Sequence, residues 1–314
     1  MKSALDAARV SDILVYVSRS LEAHVSSLEA NAMMDGQEPR PSARDMRRAR
    51  EVQAGFLPRR FPQLATLEVA GLTIPAEGVG GDYYDFIKLS PRRLALVLAD
   101  VSGKGVAAAL MTASLQASLR SHYALGTGDL AARLESTNRL FHECVAEGRF
   151  ATLFLGEYDD RTRRLRYANC GHVPPLVLRE DGTHEWLAPT AGVLGLGAEW
   201  RCAVAATALG PGDTLLVCSD GLTEARSAAL EEFGPARLEE AVRALRRLAP
   251  AALLAALAAR VREFGGGEPA DDLTLLVARP RLPRRPGLGS GAAGEGRRNQ
   301  GRTGSHDADL HPSR

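Results

Sequence analysis

From about residue 66 the chain alternates short apolar runs with glycine turns, the texture of strands joined by tight reversals. One such run, Leu94, Leu96, Val97 and Leu98, stops at Asp100 and breaks into the small, flexible residues of "VSGKG". That places Asp100 at a strand tip beside a tight turn. Two stretches interrupt the pattern. The first, "GVAAALMTASLQASLRSHYAL" (105–125), is rich in alanine and leucine and predicts a buried helix; the second, "LAARLESTNRLFHECVAEG" (130–148), predicts another. Turn signals at Asp159 and Asp160, and at Asp181 and Gly182, sit between apolar runs and predict hairpins, hence antiparallel pairing. A third helical block, 236–263, precedes a last strand, "LTLLVARP".

The flanks differ. Val10, Leu14, Val17, Leu21, His24 and Leu28 alternate spacings of four and three, which fits a short coiled-coil seam or an amphipathic helix lying on its own domain. A polar break at 35–44 leads into a second helical stretch, in which Met46, Ala49, Val52 and Phe56 are expected to share a face and Pro58 to end the helix. Beyond Pro280 the residues are mostly Gly, Arg and polar, too few of them apolar to bury a core, so a disordered tail is expected. Its seven arginines against three acids suit a solvated tail or contact with an anionic partner.

Composition narrows the classes. The 314 residues carry a formal net charge of +1 and are 45% hydrophobic, which fits a soluble globular protein and argues against a nucleic-acid-coating surface. No run reaches the ~20 apolar residues of a membrane span, and the N-terminus lacks a secretory layout, so a cytoplasmic location is expected. Cys144, Cys170, Cys202 and Cys218 form no C-x-x-C pair, and reduced, mostly buried thiols follow.

The chemistry lies in acidic residues that adjoin strands. "VGGDYYDF" carries Asp82 and Asp85, "LVLADVSGKG" Asp100, "TLLVCSDGL" Asp220, and "EPADDLTLLV" Asp271 and Asp272. One such Asp is ordinarily a turn former. Several converging carboxylates cannot all stay ionised without a counter-charge. Oxygen-only donors favour magnesium or manganese, because Cys218, the one thiol near these motifs, should alternate away from Asp220. Two such ions would suit in-line displacement at phosphorus.

"GVGGDYYDF", "LADVSGKGVAAALMTA", "ANCGHVPPLVL", "VCSDGLTEA" and "DDLTLLV", in this order over about residues 45–279, together resemble the PPM (type 2C-like) metal-dependent serine/threonine phosphatases, in their SpoIIE/RsbU branch. The resemblance implies an α+β fold, a four-layer α-β-β-α sandwich of two antiparallel sheets flanked by helices, with an N-terminal helical extension. It divides the chain into a regulatory or dimerisation segment (1–42), a linker helix (43–65), a phosphatase domain (66–280) and a disordered tail (281–314). It implies two Mn2+ or Mg2+ ions, both bridged by Asp100. Asp82 and the Val101 carbonyl would serve one ion, and Asp220 and Asp271 the other. Asp271 is matched as the first acid of "DDLT", with Asp272 the alternative, and Asp85 is structural. The implied reaction is attack by a metal-bound hydroxide on a protein phosphoserine or phosphothreonine. The implied substrate is an anti-sigma-factor antagonist of STAS type in bacterial stress or developmental signalling. Homodimers through the N-terminal helices are allowed; no nucleic acid or membrane partner is expected.

The chain departs from the wider superfamily at Ser102, where eukaryotic-type enzymes carry a histidine proposed as proton donor. Bound water or His172 would then protonate the leaving group, with Lys104 as a candidate for steering phosphate. A catalytically silent module that binds a partner is the competing class, and a manganese-dependent phosphate-ester assay separates the two. "SGKG" is not a nucleotide loop, since G-x-x-x-x-G-K-[ST] is absent.

Overall fold

The alternating runs form two five-stranded sheets, in which every pairing is antiparallel. The computed structural model describes residues 42–76, 78–126 and 128–281. Helix α1 (Ala43–Ala54) is followed by β1 (Leu67–Ile74), β2 (Asp82–Ser90), β3 (Arg93–Val101), α2 (Gly105–Leu125), α3 (Leu130–Cys144), β4 (Ala151–Asp159) and β5 (Arg164–Cys170). The short strands β6 (Leu176–Leu178), β7 (His184–Trp186) and β8 (Ala205–Ala208) come next. They lead to β9 (Thr214–Cys218), α4 (Asp220–Thr223), α5 (Gly234–Leu245), α6 (Pro250–Gly265) and β10 (Leu273–Pro280). One sheet has the order β1-β10-β9-β6-β7 and the other β2-β3-β4-β5-β8.

Side-chain parity explains the layering, because successive residues of a strand face opposite sides. On β3, Leu94, Leu96 and Leu98 join Tyr84, Phe86, Leu215, Val217, Leu276 and Ala278 in a core between the sheets. The odd positions Ala95, Val97 and Ala99 pack outward with Leu115 and Leu119 of α2 and Leu130 and Leu134 of α3. Across the molecule, Leu216, Cys218, Leu275 and Val277 pack outward with residues of α5 and α6 such as Leu238, Val242, Leu254 and Leu257. Strands buried on both faces therefore read as nearly continuous apolar runs. The expected four-layer α+β sandwich is the observed fold.

Both predicted hairpins form, as β4–β5 and β6–β7. Three element boundaries differ from expectation. The 236–263 block is two helices, since Pro250 holds Ala249 extended (ψ 150°) and starts α6 afresh. Helix α3 ends at Cys144, where Val145 turns extended, rather than running to 148. Helix α1 stops at Gly55, before Pro58, and Val52 points outward at 60% exposure. Its inward face is Met46, Ala49 and Gln53, because Gln53 binds both backbone groups of Gly80. The expected 1–42 segment and 281–314 tail lie outside the described residues but for Ser42 and Arg281. No described helix is long and apolar enough to cross a membrane.

Candidate metal centre

The inner layer of the sandwich changes character at one end. Continuing the parity of Leu94, Leu96 and Leu98 puts Asp100 on the same inner face, and the β2–β3 register sets Asp82 directly opposite it. Continuing β9 past Val217 brings Ser219 inward, and extending β10 backward past Leu276 brings Thr274 and then Asp272 inward. The apolar core thus ends in a polar mouth. Asp82 lies beside the hydroxyls of Ser219 and Thr274, while Ser219 Oγ donates to the Asp272 carbonyl at 3.1 Å and Thr274 Oγ1 pairs with Thr73 Oγ1 at 2.7 Å.

Two glycines let the backbones close this far. A Cβ on Gly81 would stand 2.3 Å from the Val101 carbonyl oxygen, and one on Gly221 would stand 2.1 Å from that of Asp272. Thr112 of α2 donates to the Gly81 carbonyl at 2.8 Å, and Gln53 of α1 donates to that of Gly80 at 2.7 Å. Helices from one outer layer therefore brace the turn before Asp82.

The electrostatics are those of like charges forced together. Burial first, then Asp220, Asp271, Asp272 and Glu224, push the Asp100 carboxyl up to about 7. Burial and then Asp100 hold Asp82 well above the usual carboxylate range, against the lowering influence of the two nearby hydroxyls. Asp220, which opens α4, is raised by burial and by Asp271. Asp82 Oδ2 is buried and without a hydrogen-bond partner.

Each expected residue can now be placed. Asp100 lies close enough to Asp82 to raise it, Asp220 and Asp271 close enough to raise Asp100, and the Val101 carbonyl faces Gly81 beside them while its side chain packs in the outer core. Asp271 is half-exposed, with Oδ2 3.1 Å from Lys104 Nζ. Asp272 points instead to the backbone, accepting from the Ala76 amide at 2.9 Å. Asp85, fully buried, faces the opposite side of β2, where Arg120 Nε and Nη2 donate to it at 2.7 and 2.8 Å and Tyr83 Oη at 2.6 Å. Cys218 faces the outer core, and burial pushes its thiol up to about 12. None of the four cysteines is in a disulfide.

His172 is enclosed, with Nδ1 2.8 Å from Thr152 Oγ1, and burial lowers it to about 4. It is neutral at pH 7 and walled from solvent, which suits a structural hydrogen-bonder. Ser102 accepts from the Phe150 amide at 3.0 Å and pins the loop to β4. Among the described residues no three His, Cys, Asp or Glu side chains are arranged as they stand to hold a metal ion. The strand ends bring the carboxylates together, while Lys104 occupies an Asp271 oxygen that an ion would need. The donor set, oxygen-only and carrying one orphaned buried oxygen, fits a hard divalent cation.

Sequence reading missed Ser219, Thr274, Thr112, Gln53 and Glu224. Strand parity could have found the first two, lying two positions beyond Val217 and two before Leu276. No local pattern marks the others, which act through contacts distant in the chain.

A family model described as Stage II sporulation protein E (SpoIIE) matches residues 90–281, over half the chain. Phosphoserine phosphatase RsbU of Bacillus subtilis is 30% identical over 180 residues, 57% of this chain and 53% of that one. Protein IcfG of Synechocystis is 29% identical over 226 residues, 64% of this chain and 36% of that one. The chain thus spans about half, or less, of the curated relatives it matches. Among solved structures, the SiaA-PP2C domain of Pseudomonas aeruginosa superposes with TM-score 0.65 at 26% identity, covering 75% of this chain and 94% of that one.

Proposed function

Since the chain belongs to the SpoIIE family of PPM-type domains, we propose that it is a metal-dependent protein phosphatase that hydrolyses phosphoserine or phosphothreonine on a protein substrate. The observation that carries this is the Asp100 carboxyl, pushed up to about 7 by burial and by four neighbouring acids. Such a mouth is poised for external positive charge.

Asp100 would hold both of two Mn2+ or Mg2+ ions, Asp82 and the Val101 carbonyl one of them, and Asp220 and Asp271 the other. When bound, the ions supply activated water and neutralise phosphoryl oxygens for in-line displacement, with no phosphoenzyme. Ser219 and Thr274 stand beside Asp82 with their hydroxyls and favour its ionised form. Lys104 must leave Asp271 for that carboxylate to bind an ion, and then stands at the rim as a cation for substrate phosphate.

The motif resemblance implies an anti-sigma-factor antagonist of STAS type as substrate, in bacterial stress or developmental signalling in the cytoplasm, and similarity to a relative named phosphoserine phosphatase supports phosphoserine as the group removed. We assign catalysis to residues 66–280, linkage to 43–65, and regulation or homodimer formation to 1–42. The test is phosphate release from 4-nitrophenyl phosphate and from a serine-phosphorylated STAS-domain protein, with manganese and with chelator. Release that requires manganese and falls by roughly a hundredfold or more in Asp100→Asn is expected; release indifferent to both overturns the assignment. Removing residues 1–42 should change activity or sedimentation, and no change in either overturns their regulatory assignment.

A further inference from the structure

Beside the acidic mouth lies a second feature that the reaction chemistry does not use. β4 continues the β3 ladder past Val101, since the Ser102 amide donates to the Phe150 carbonyl at 2.9 Å. This puts Arg149 against the loop that follows Asp100. Its Nη1 donates to the Ser102 carbonyl at 3.2 Å, and the guanidinium lies on Gly103. A Cβ there would stand 2.3 Å from Nη1, and φ of +103° already calls for glycine. Arg149 is exposed, and no carboxylate among the described residues pairs with it.

The backbone carbonyl of Arg149 in turn touches the "GLG" turn at 195–197, where a Cβ on Gly195 would lie 2.9 Å away. Leu196, at its apex, is 61% exposed. The turn is held tightly: Asn138, itself fully buried, accepts from the Gly195 amide at 2.9 Å and donates to the Gly197 carbonyl at 2.8 Å. His142 Nδ1 lies 2.6 Å from the Gly195 carbonyl, and Leu194 pairs with Ala151. A large apolar side chain in water on a turn so firmly tied costs little ordering entropy on binding.

We propose that Arg149 and Leu196 form a docking lip for the phosphoprotein substrate, Arg149 receiving phosphoryl oxygens and Leu196 entering an apolar depression on the protein that bears them. This rests on the phosphatase reading of the acidic mouth. An arginine fork matches phosphate oxygens bidentately, and Nε and Nη2 remain for that use. The cation also offsets the negative field that the carboxylates of the mouth would present to a dianion. Leu196, by contrast, has no use for a small ester. It marks a substrate with a folded surface.

The test is steady-state kinetics with manganese on 4-nitrophenyl phosphate and on a serine-phosphorylated STAS-domain protein. Arg149→Glu should raise KM for both substrates about tenfold or more with a smaller change in kcat, and Arg149→Lys should recover part of it. Leu196→Asp should raise KM for the protein about tenfold more than for the ester. Melting curves of all three variants should match that of the parent, since both side chains are exposed. An active parent whose Arg149→Glu and Leu196→Asp variants keep its KM on the protein overturns the lip. So does Arg149→Glu lowering kcat and manganese affinity with KM unmoved, which marks a purely loop-holding role. A parent inert toward both substrates instead removes the phosphatase reading, and the lip falls with it.

Discussion

Asp82 and Asp85 stand on the same strand and are both buried, yet the molecule treats them in opposite ways. Asp85, on the outer face, meets a guanidinium, a phenol and the Phe86 amide. Glu157, on the same outer face, is likewise met by Arg93, Arg133 and Tyr123. Asp82, on the inner face, meets two hydroxyls and another carboxylate, and one of its oxygens meets nothing. A buried carboxylate matched by cations holds a structure together; one left among its own kind awaits a charge from outside.

The strongest test of this division is to remove the central acid of the mouth. Asp100→Asn should lower manganese-dependent hydrolysis by roughly 10²- to 10³-fold while the metal-free protein melts higher, because repulsion is relieved. A variant that loses stability instead would put Asp100 in the same class as Asp85. The converse substitution, Asp85→Ala, should cost about 3 kcal/mol of stability in urea titration, the low end for breaking a buried pair because Arg120 is half-exposed. Turnover per folded molecule should stay within about twofold of the parent. Loss of metal affinity with unchanged stability would erase the distinction.

Much of this division was legible in the sequence, for a physical reason. Alternation with period two decides which face of a strand a residue takes, so the run ending at Asp100 already carries its inward direction. Glycines beside Asp82 and Asp220 likewise announced close backbone approach. What could not be read is any contact between chain-distant residues on different elements. Arg120 in α2 is the partner of Asp85, but the helix pattern of 105–125 shows only that one face is buried. Gln53 was passed over for Val52 because the apolar rule ranks valine inward, whereas the backbone of Gly80 calls for an amide.

The two classes should also separate by pH. A carboxyl at about 7 in the folded chain against 3.8 when unfolded keeps its proton on folding through that interval. The folded state then binds more protons than the unfolded one, so stability falls as pH rises from about 4 to about 7 and levels beyond. Asp100 sets a limiting slope of about 1.4 kcal/mol per pH unit, and the raised Asp82, Asp220 and Glu224 act in the same direction. Melting temperatures in chelator should therefore decline across that window, and manganese at pH 8 should restore them. A flat profile in chelator would show that the carboxylates do not repel one another.

The smallest effect probes how the mouth is braced. Gln53 grips Gly80 by its amide and its carbonyl, at 3.2 and 2.7 Å, and Gly80 lies two residues before Asp82. No charge takes part, so the grip should be indifferent to salt and pH, unlike the Asp85 cluster. Gln53→Ala should cost about 1 kcal/mol in urea titration and raise the manganese concentration for half-maximal activity severalfold, since the turn carrying Asp82 is loosened. Gln53→Glu tests the same point with charge: it keeps one acceptor for the Gly80 amide, loses the donor to the carbonyl, and brings a further acid toward the mouth. If the mouth is as crowded with negative charge as its acidities indicate, Gln53→Glu melts below Gln53→Ala in chelator and the gap narrows when manganese is added.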